Sequence, residues 1–327
     1  MIEVEEAETG FFPSIGQFRN AVKAERDWAT YHNVEPRKRT YVGTVKLHGT
    51  NAGISLTPDG ELIYRSRTRV ITPMDDNSGF ASHMVKYEDI IRRIFSQIPG
   101  NGEMLTLFGE WCGAGIQRGV GITNEPKLFA VFAVRIGDNW GDVALVGARP
   151  EARIFNILQF GQWKREIDFA RPELVQNELG KLTEAVEAEC PAAKSFGHSG
   201  IGEGIVWMPV DGDMRSRYWF KVKGEKHSAS KVRTLAAVDT EQYRLRDELV
   251  STLVTENRME QGLALHVSEF GHAVEMKSIS HFLRWVFNDI AKEDADTIVA
   301  SGFEIKDLGK PISDIAKRFY LGKVNAV

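Results

Sequence analysis

The chain alternates before it does anything else. Ala52, Ile54 and Leu56 take turns with Gly53, Ser55 and Thr57, the two-residue period of a strand. Pro58-Asp59-Gly60 follows, a turn in which proline presets φ and glycine accepts a positive φ. Leu62 to Arg67 reads as the returning strand, so the pair predicts a hairpin. Tyr41 to Lys46, just before it, reads as extended. Met84, Tyr87, Ile91, Ile94 and Phe95 then recur at steps of three and four. That spacing predicts a helix with one apolar face, stopped by Pro99-Gly100. Met104 to Phe108, Leu128 to Val134, Gly204 to Met208 and Tyr218 to Val222 are short apolar runs between turns and predict buried strands. Glu173 to Glu189 predicts another helix. Strands and helices mix without regular βαβ alternation, which points to an α+β fold with largely antiparallel sheets.

The pattern changes after about residue 235. Strand-like runs nearly vanish. Leu245, Leu249 and Leu253, and later Phe282, Val286 and Ile290, show helical spacing. Ile312, Ile315 and Phe319 predict a last helix begun at Pro311. Two domains are therefore expected: residues 1–234, mixed, and residues 235–327, all helical.

Composition narrows the class. With 327 residues, 43% of them hydrophobic and 26% charged, the chain can bury a core without staples. The acidic first ten residues carry no mark of a signal peptide, and no apolar run is long enough to span a bilayer. Two distant cysteines, Cys112 and Cys190, offer neither zinc spacing nor a disulfide framework and suit a reducing cytoplasm. The net charge is −4, and residues 235–327, with 11 basic and 15 acidic side chains, carry all of it. That balance excludes a basic coat for nucleic acid but leaves room for a local basic groove.

Chemistry concentrates in Lys46-Leu47-His48-Gly49-Thr50-Asn51, between two predicted strands. A lysine is a covalent nucleophile when its amine is neutral, and Gly49 lets a ligand approach the backbone. Taken singly, these residues have plain alternatives: a solvated lysine, a structural histidine, a turn. Lys221 and Lys223 alternate with Val222 and so share one strand face, either in a cleft or on a solvated edge. Glu110 and Glu203 each flank an apolar strand, where a carboxylate must be paired, hydrogen-bonded or metal-bound.

Together, and in this order, the segments resemble the motifs of the covalent nucleotidyltransferase superfamily of ATP-dependent ligases and capping enzymes. Within it they resemble the RNA ligase 2 family, typified by the bacteriophage T4 enzyme. Lys46 to Asn51 looks like motif I. Phe108-Gly109-Glu110, running on through Gly113-Ala114-Gly115-Ile116-Gln117, looks like motif III. Phe129-Ala130-Val131-Phe132 looks like motif IIIa, Glu203-Gly204-Ile205-Val206 like motif IV, and Lys221-Val222-Lys223 like motif V. Arg67 stands where the family has an arginine after motif I. The resemblance covers about Phe12 to Arg233.

The resemblance implies a nucleotidyltransferase (ATP-grasp-like) domain followed by a small helical one. It also implies an ATP-dependent RNA ligase that seals 3′-hydroxyl and 5′-phosphate ends, at nicks in duplex RNA. Lys46 would take AMP from ATP, pass it to the RNA 5′-phosphate, and the 3′-hydroxyl would then displace it. Lys221 and Lys223 would neutralise the α-phosphate, Glu110 would take the ribose hydroxyl, and Phe132 would stack on adenine. Glu203 would help hold Mg2+ or Mn2+, Arg67 would bind a phosphate of the RNA, and His48 and Asn51 would contact phosphate. Two positions depart from the family. Val45 stands where an acidic residue often precedes the nucleophile, leaving backbone contacts to the nucleotide, and Ala133 follows Phe132 where an acidic residue is common. Lys221, Lys223, Lys226, Lys231 and Arg233, set against Glu225, and Arg37-Lys38-Arg39 are candidate phosphate-tracking clusters. Neither a membrane nor an obligatory protein partner is expected. A capping enzyme or DNA ligase would append a β-barrel after motif V, where this chain reads helical. The remaining alternative is a ligase-derived module that binds RNA or nucleotide without turnover.

Overall fold

The computed structural model describes residues 10–100, 102–211, 213–224, 226, 239–268 and 274–324. Glu225, Lys231, Arg233 and the expected 234/235 boundary lie outside the described residues, as do residues 1–9. The described chain divides into two compact units, one from within 1–25 and 38–237 and one from within 26–37 and 238–327. The division is thus not a single cut in the sequence.

The first unit is α+β. Its strands are β1 (Gly16–Gln17), β2 (Lys38–Lys46), β3 (Thr50–Leu56), β4 (Leu62–Ser66), β5 (Val70–Ile71) and β6 (Leu105–Cys112). They continue with β7 (Leu128–Ile136), β8 (Asn139–Gly141), β9 (Ile154–Asn156), β10 (Gln162–Asp168), β11 (Gly204–Pro209) and β12 (Phe220–Lys223). A five-stranded sheet runs β1-β12-β11-β2-β10, antiparallel except for β1 beside β12. A seven-stranded sheet runs β5-β4-β3-β6-β7-β8, with β9 parallel to β7. The chain contributes helices α1 (Phe18–His32), α2 (Phe80–Met84), α3 (Glu88–Phe95), α4 (Glu173–Ala188) and α5 (Pro191–Ser195).

Alternation decides which faces are buried. Along β2, Tyr41, Gly43 and Val45 are buried while Val42, Thr44 and Lys46 turn the other way. The buried set joins Ile167, Leu179, Val186, Ile205, Trp207 and Val222 in one core. Ile54, Phe80, Ile91, Leu107, Trp111 and Val134 form a second core behind the seven-stranded sheet. Phe12, Phe108, Ala133 and Trp219 make a smaller cluster, against which Met208 of the five-stranded sheet also packs.

The helix expected through Met84 to Phe95 is two helices, with a 3-10 turn at Val85–Tyr87 between them. Arg39, expected in a basic run, is buried against Glu25 at 3.0 Å and Asp211 at 3.4 Å, and Lys38 lies 3.7 Å from Asp168. Arg39 and Lys38 thus have acidic partners within the protein, and the Arg37 guanidinium lies 3.8 Å over the Trp28 ring.

The second unit is helical in its described residues: α6 (Thr240–Leu253), α7 (Glu256–Ser268), α8 (Ile279–Glu293), α9 (Ala295–Ala300) and α10 (Ile305–Val324). Phe282, Val286 and Ile290 pack with Leu308, Ile312, Ala316 and Tyr320. The last four recur every fourth residue and hold α10 together across Pro311, so the helix begins six residues before the proline expected to start it. Burial of that stripe outweighs the lost backbone hydrogen bond. Leu245 is 44% exposed, so the buried side of α6 runs through Val250 and Leu253 instead. No described helix is long and apolar enough to cross a membrane.

Candidate active site

Lys46 is the last residue of β2, and Leu47-His48-Gly49 carries the chain from the five-stranded sheet into β3 of the other. The crossing is tight. A Cβ at Gly49 would lie 2.3 Å from the Trp111 carbonyl oxygen and 2.7 Å from Cys112 Cβ. The Gly49 N–H donates to Glu110 Oε1 at 2.9 Å, and its carbonyl accepts from Gln117 Nε2 at 3.2 Å. Gly49→Ala is therefore expected to force the turn off β6. The cost should be about 1–3 kcal/mol of stability, read by denaturant unfolding, with a drop in any reaction at Lys46 larger than the stability loss accounts for.

Glu203 is the charged centre. It is 3% exposed, one residue before β11, and Gly204 pairs with Lys46 on one side and Lys223 on the other. Gly204 has φ near +145°, and a Cβ there would strike the Val222 carbonyl at 2.1 Å. Only glycine lets these strands close in. Lys46 Nζ donates to Glu203 Oε2 at 2.6 Å, Lys223 Nζ lies 2.6 Å from Oε1, and His48 Nδ1 lies 3.5 Å from Oε2. Burial alone would raise the Glu203 pKa. The charge of Lys46 and the hydrogen bonds from Lys223 and Lys46 outweigh it and hold the carboxyl below its ordinary value.

A cavity of about 390 Å3 opens between the sheets. Lys46, Lys221, Lys223 and Arg67 line one part of it, with Glu110 and Asn51. Phe132, Val206, Met208 and Ile157 line another. The Lys221 pKa is lowered by burial first, then by the charges of Lys46, Lys223 and Arg67. Arg67 donates to Ser14 at 3.0 Å, whereas Arg69 pairs with Asp75 and Arg65 donates to Ser55. Of these three arginines, Arg67 is the one on the cavity. Val45 also borders it, but its side chain belongs to the core, which leaves its backbone to the cavity.

Phe132 arrives there through a bulge. Phe108 pairs with Ala133 but Gly109 pairs with Val131, so Phe132 is the surplus residue of β7. A bulge re-aims a side chain that alternation would send elsewhere. Phe12, packed 4.8 Å from Phe132 between ring centroids, Pro13 and Ile15 complete the wall. They lie in a segment without periodicity, and only the starting point of the family resemblance, at Phe12, pointed to it.

Glu110 behaves oppositely to Glu203. Burial pushes its pKa up from 4.5 to about 7, against the pull of Lys46 and the Gly49 N–H. The folded state therefore binds the proton more tightly than the unfolded chain does. The stability this contributes is complete below 4.5 and is lost as pH rises through about 7. Glu110→Gln, whose amide carbonyl can still accept from Gly49, is expected to flatten that fall when unfolding free energy is measured from pH 4 to pH 8 (about the span of the titration).

The fold and the site together define an α+β domain with a lysine-centred, cationic, nucleotide-sized cavity between two largely antiparallel sheets. The profile of the RNA ligase family matches residues 39–223, from β2 through β12. The chain belongs to the RNA ligase family. Among solved structures, it is similar to Naegleria gruberi RNA ligase with PPi (TM-score 0.46, 14% identity, 68% of this chain and 61% of that one). A variant of the same ligase with ATP and Mn matches at TM-score 0.45 and 15% identity, over 67% of this chain and 58% of that one. The chain thus spans about three-fifths of the length of these relatives. No curated protein matches it.

Proposed function

We propose that this protein is an ATP-dependent RNA ligase of the RNA ligase 2 type, joining 3′-hydroxyl and 5′-phosphate ends at nicks in duplex RNA. One observation carries the reading: Lys46 Nζ is held 2.6 Å from the buried Glu203, on a cavity it shares with Lys221, Lys223 and Arg67. Four cationic side chains against two carboxylates fit a triphosphate, and the apolar part of the cavity fits a base. Membership of the RNA ligase family supports the substrate class. The helical second unit favours an RNA ligase over a capping enzyme or DNA ligase.

In the first step Lys46 Nζ, its proton lost to solvent and its position held by Glu203 Oε2 at 2.6 Å, attacks the α-phosphorus of ATP. A P–N bond forms and the P–O bond to pyrophosphate breaks. Lys221 and Lys223 offset the charge that builds on the α-phosphate oxygens. In the second step an oxygen of the RNA 5′-phosphate displaces Lys46 from the AMP phosphorus. In the third, the 3′-hydroxyl attacks the 5′-phosphorus and AMP leaves. Arg67 would hold the RNA phosphate through its planar fork. Phe132 would stack on adenine, Glu110 would take a ribose hydroxyl, and Asn51 and His48 would reach phosphate oxygens.

A divalent cation fits this donor set in the manner of magnesium. No group of three His, Cys, Asp or Glu side chains converges among the described residues. Magnesium needs no such cage, since one ionised carboxylate with water and phosphate oxygens suffices. Glu203 would supply that carboxylate for Mg2+ or Mn2+, and the cation would supply charge neutralisation at the phosphates.

Incubation with α-labelled ATP and magnesium is expected to give a labelled protein–AMP adduct that survives alkali and is cleaved by acid, as a P–N bond is. Matched nicked duplexes, with RNA or DNA at each strand position, are expected to be sealed where RNA supplies the ends. No adduct with ATP under magnesium or manganese overturns the reading. An adduct with no sealing of any nick reduces it to nucleotidyl transfer.

A further inference from the structure

Period-two alternation lays out one face of the five-stranded sheet in order. Along β2 that face carries Lys46, Thr44 and Val42. Along β11 it carries Val206 and Met208, with Val206 opposite Thr44 and Met208 opposite Val42. Along β12 and the residue before it, the same alternation gives Lys223, Lys221 and Trp219. The β2 and β12 rows therefore start cationic, where the triphosphate would lie, and all three rows end apolar. The nucleotide cavity covers only the first part of these rows.

Beyond it lies a second chamber of about 260 Å3. Its walls include Val42, Trp140, Leu158, Met214 and Trp219, and among the described residues its one charged side chain is Asp142, which is exposed. Thr44, Phe132 and Met208 border both spaces. They stand at the apolar end of the nucleotide cavity, where a stacked base would sit. Phe132 is the surplus residue of the β7 bulge, and Phe12, on the nucleotide cavity, packs 5.9 Å from Trp140 and 5.5 Å from Trp219 between ring centroids, so two rings stand between the spaces beside Thr44 and Met208.

We infer that the base end of the nucleotide site continues over Thr44 and Met208, alongside the ring of Phe132, into this chamber, and that the protein accepts purine nucleoside triphosphates carrying an apolar aryl group on the base edge. The inference rests on the nucleotide reading proposed above. An apolar cavity of about 150 Å3 takes up a benzene ring; this chamber is larger and partly open to solvent. Trp140 and Trp219, 4.6 Å apart between ring centroids in an edge-on pair, offer an aryl group the geometry that aromatic side chains prefer.

The test measures adduct formation with ATP, N6-benzyl-ATP and 2-phenylthio-ATP, whose substituents leave opposite edges of the purine. At least one of the two is expected to react with a kcat/KM within about tenfold of ATP. In Ala144→Trp, which fills the chamber from a position outside the nucleotide cavity, that reaction is expected to fall about a hundredfold while the reaction with ATP is unchanged. Retained ATP reaction also shows that the variant is folded. If that variant loses the ATP reaction, Leu158→Phe, reducing the chamber from another wall, makes the same comparison. Reaction with ATP but with neither aryl nucleotide overturns the chamber inference and leaves the nucleotide reading standing. Equal loss of all three nucleotides in both filled variants also overturns it. No reaction with any of the three in the unmodified protein overturns both.

Discussion

Lys46→Ala is expected to abolish the alkali-stable AMP adduct, with no residual labelling after α-labelled ATP and magnesium. Lys46→Arg is expected to fail as completely, because a guanidinium keeps its proton at any working pH and cannot attack phosphorus. The loss should be confined to the step that uses the amine. Both variants are expected to seal a nick whose 5′ end already carries AMP, since that step breaks and makes bonds only on the RNA. Label retained in the alanine variant refutes the assignment of the nucleophile. Loss of sealing on the pre-adenylylated nick, with unchanged stability, shows that the ion pair with Glu203 also builds the site for the last step.

The second large effect is expected at Glu203. Its carboxylate joins Lys46 and Lys223, each at 2.6 Å. Glu203→Ala leaves those ammonium groups facing each other beside Lys221. Removing one partner of a buried pair costs about 3–5 kcal/mol, and because both lysines are partly exposed, about 2 kcal/mol is the expected loss of stability. Adduct formation is expected to fall by at least about a hundredfold. Glu203→Gln keeps the shape and removes the charge, so it separates the two effects. The folded pKa of Glu203 lies below its ordinary value, so its contribution to stability is present above about 4.5 and is lost as pH falls through the folded pKa. Glutamine at this position is expected to remove that acid-side loss. A glutamine variant as active as the unmodified protein sinks the proposed role.

The parts of this molecule that were legible in sequence share a property: their environment is written in a short period. Ala52, Ile54 and Leu56 alternate, and they form β3 against β4 and β6. Lys221 and Lys223 alternate, and both line the cavity. β10 was missed because Gln162 to Asp168 is polar and its only buried side chain is Ile167. α1 was missed because Glu25 is buried in it, paired with Arg39 from β2, and no local pattern announces a distant partner. Proline at 311 read as a start because it starts helices more often than it continues them. The spacing of Leu308, Ile312, Ala316 and Tyr320 overruled it.

The cavity shows the same division. Lys46, Glu110, Phe132, Lys221 and Lys223 come together from four strands. The order of short motifs anticipated that meeting, but composition did not. The bulge that aims Phe132 was not legible, since it depends on how β6 and β7 count against each other. Phe12, Pro13 and Ile15 carry no signal of their own, because their place on the wall comes from packing rather than local conformation.

The three-residue passage at Leu47-His48-Gly49 has a wider consequence. It joins the two layers of the domain with no slack, and the amine proposed as the nucleophile sits at its threshold. Strain introduced anywhere in either layer has a short covalent route to that one nitrogen. Mutations buried far from the ligand should therefore be felt in turnover before they are felt in melting temperature, and selection for speed has many remote positions on which to act.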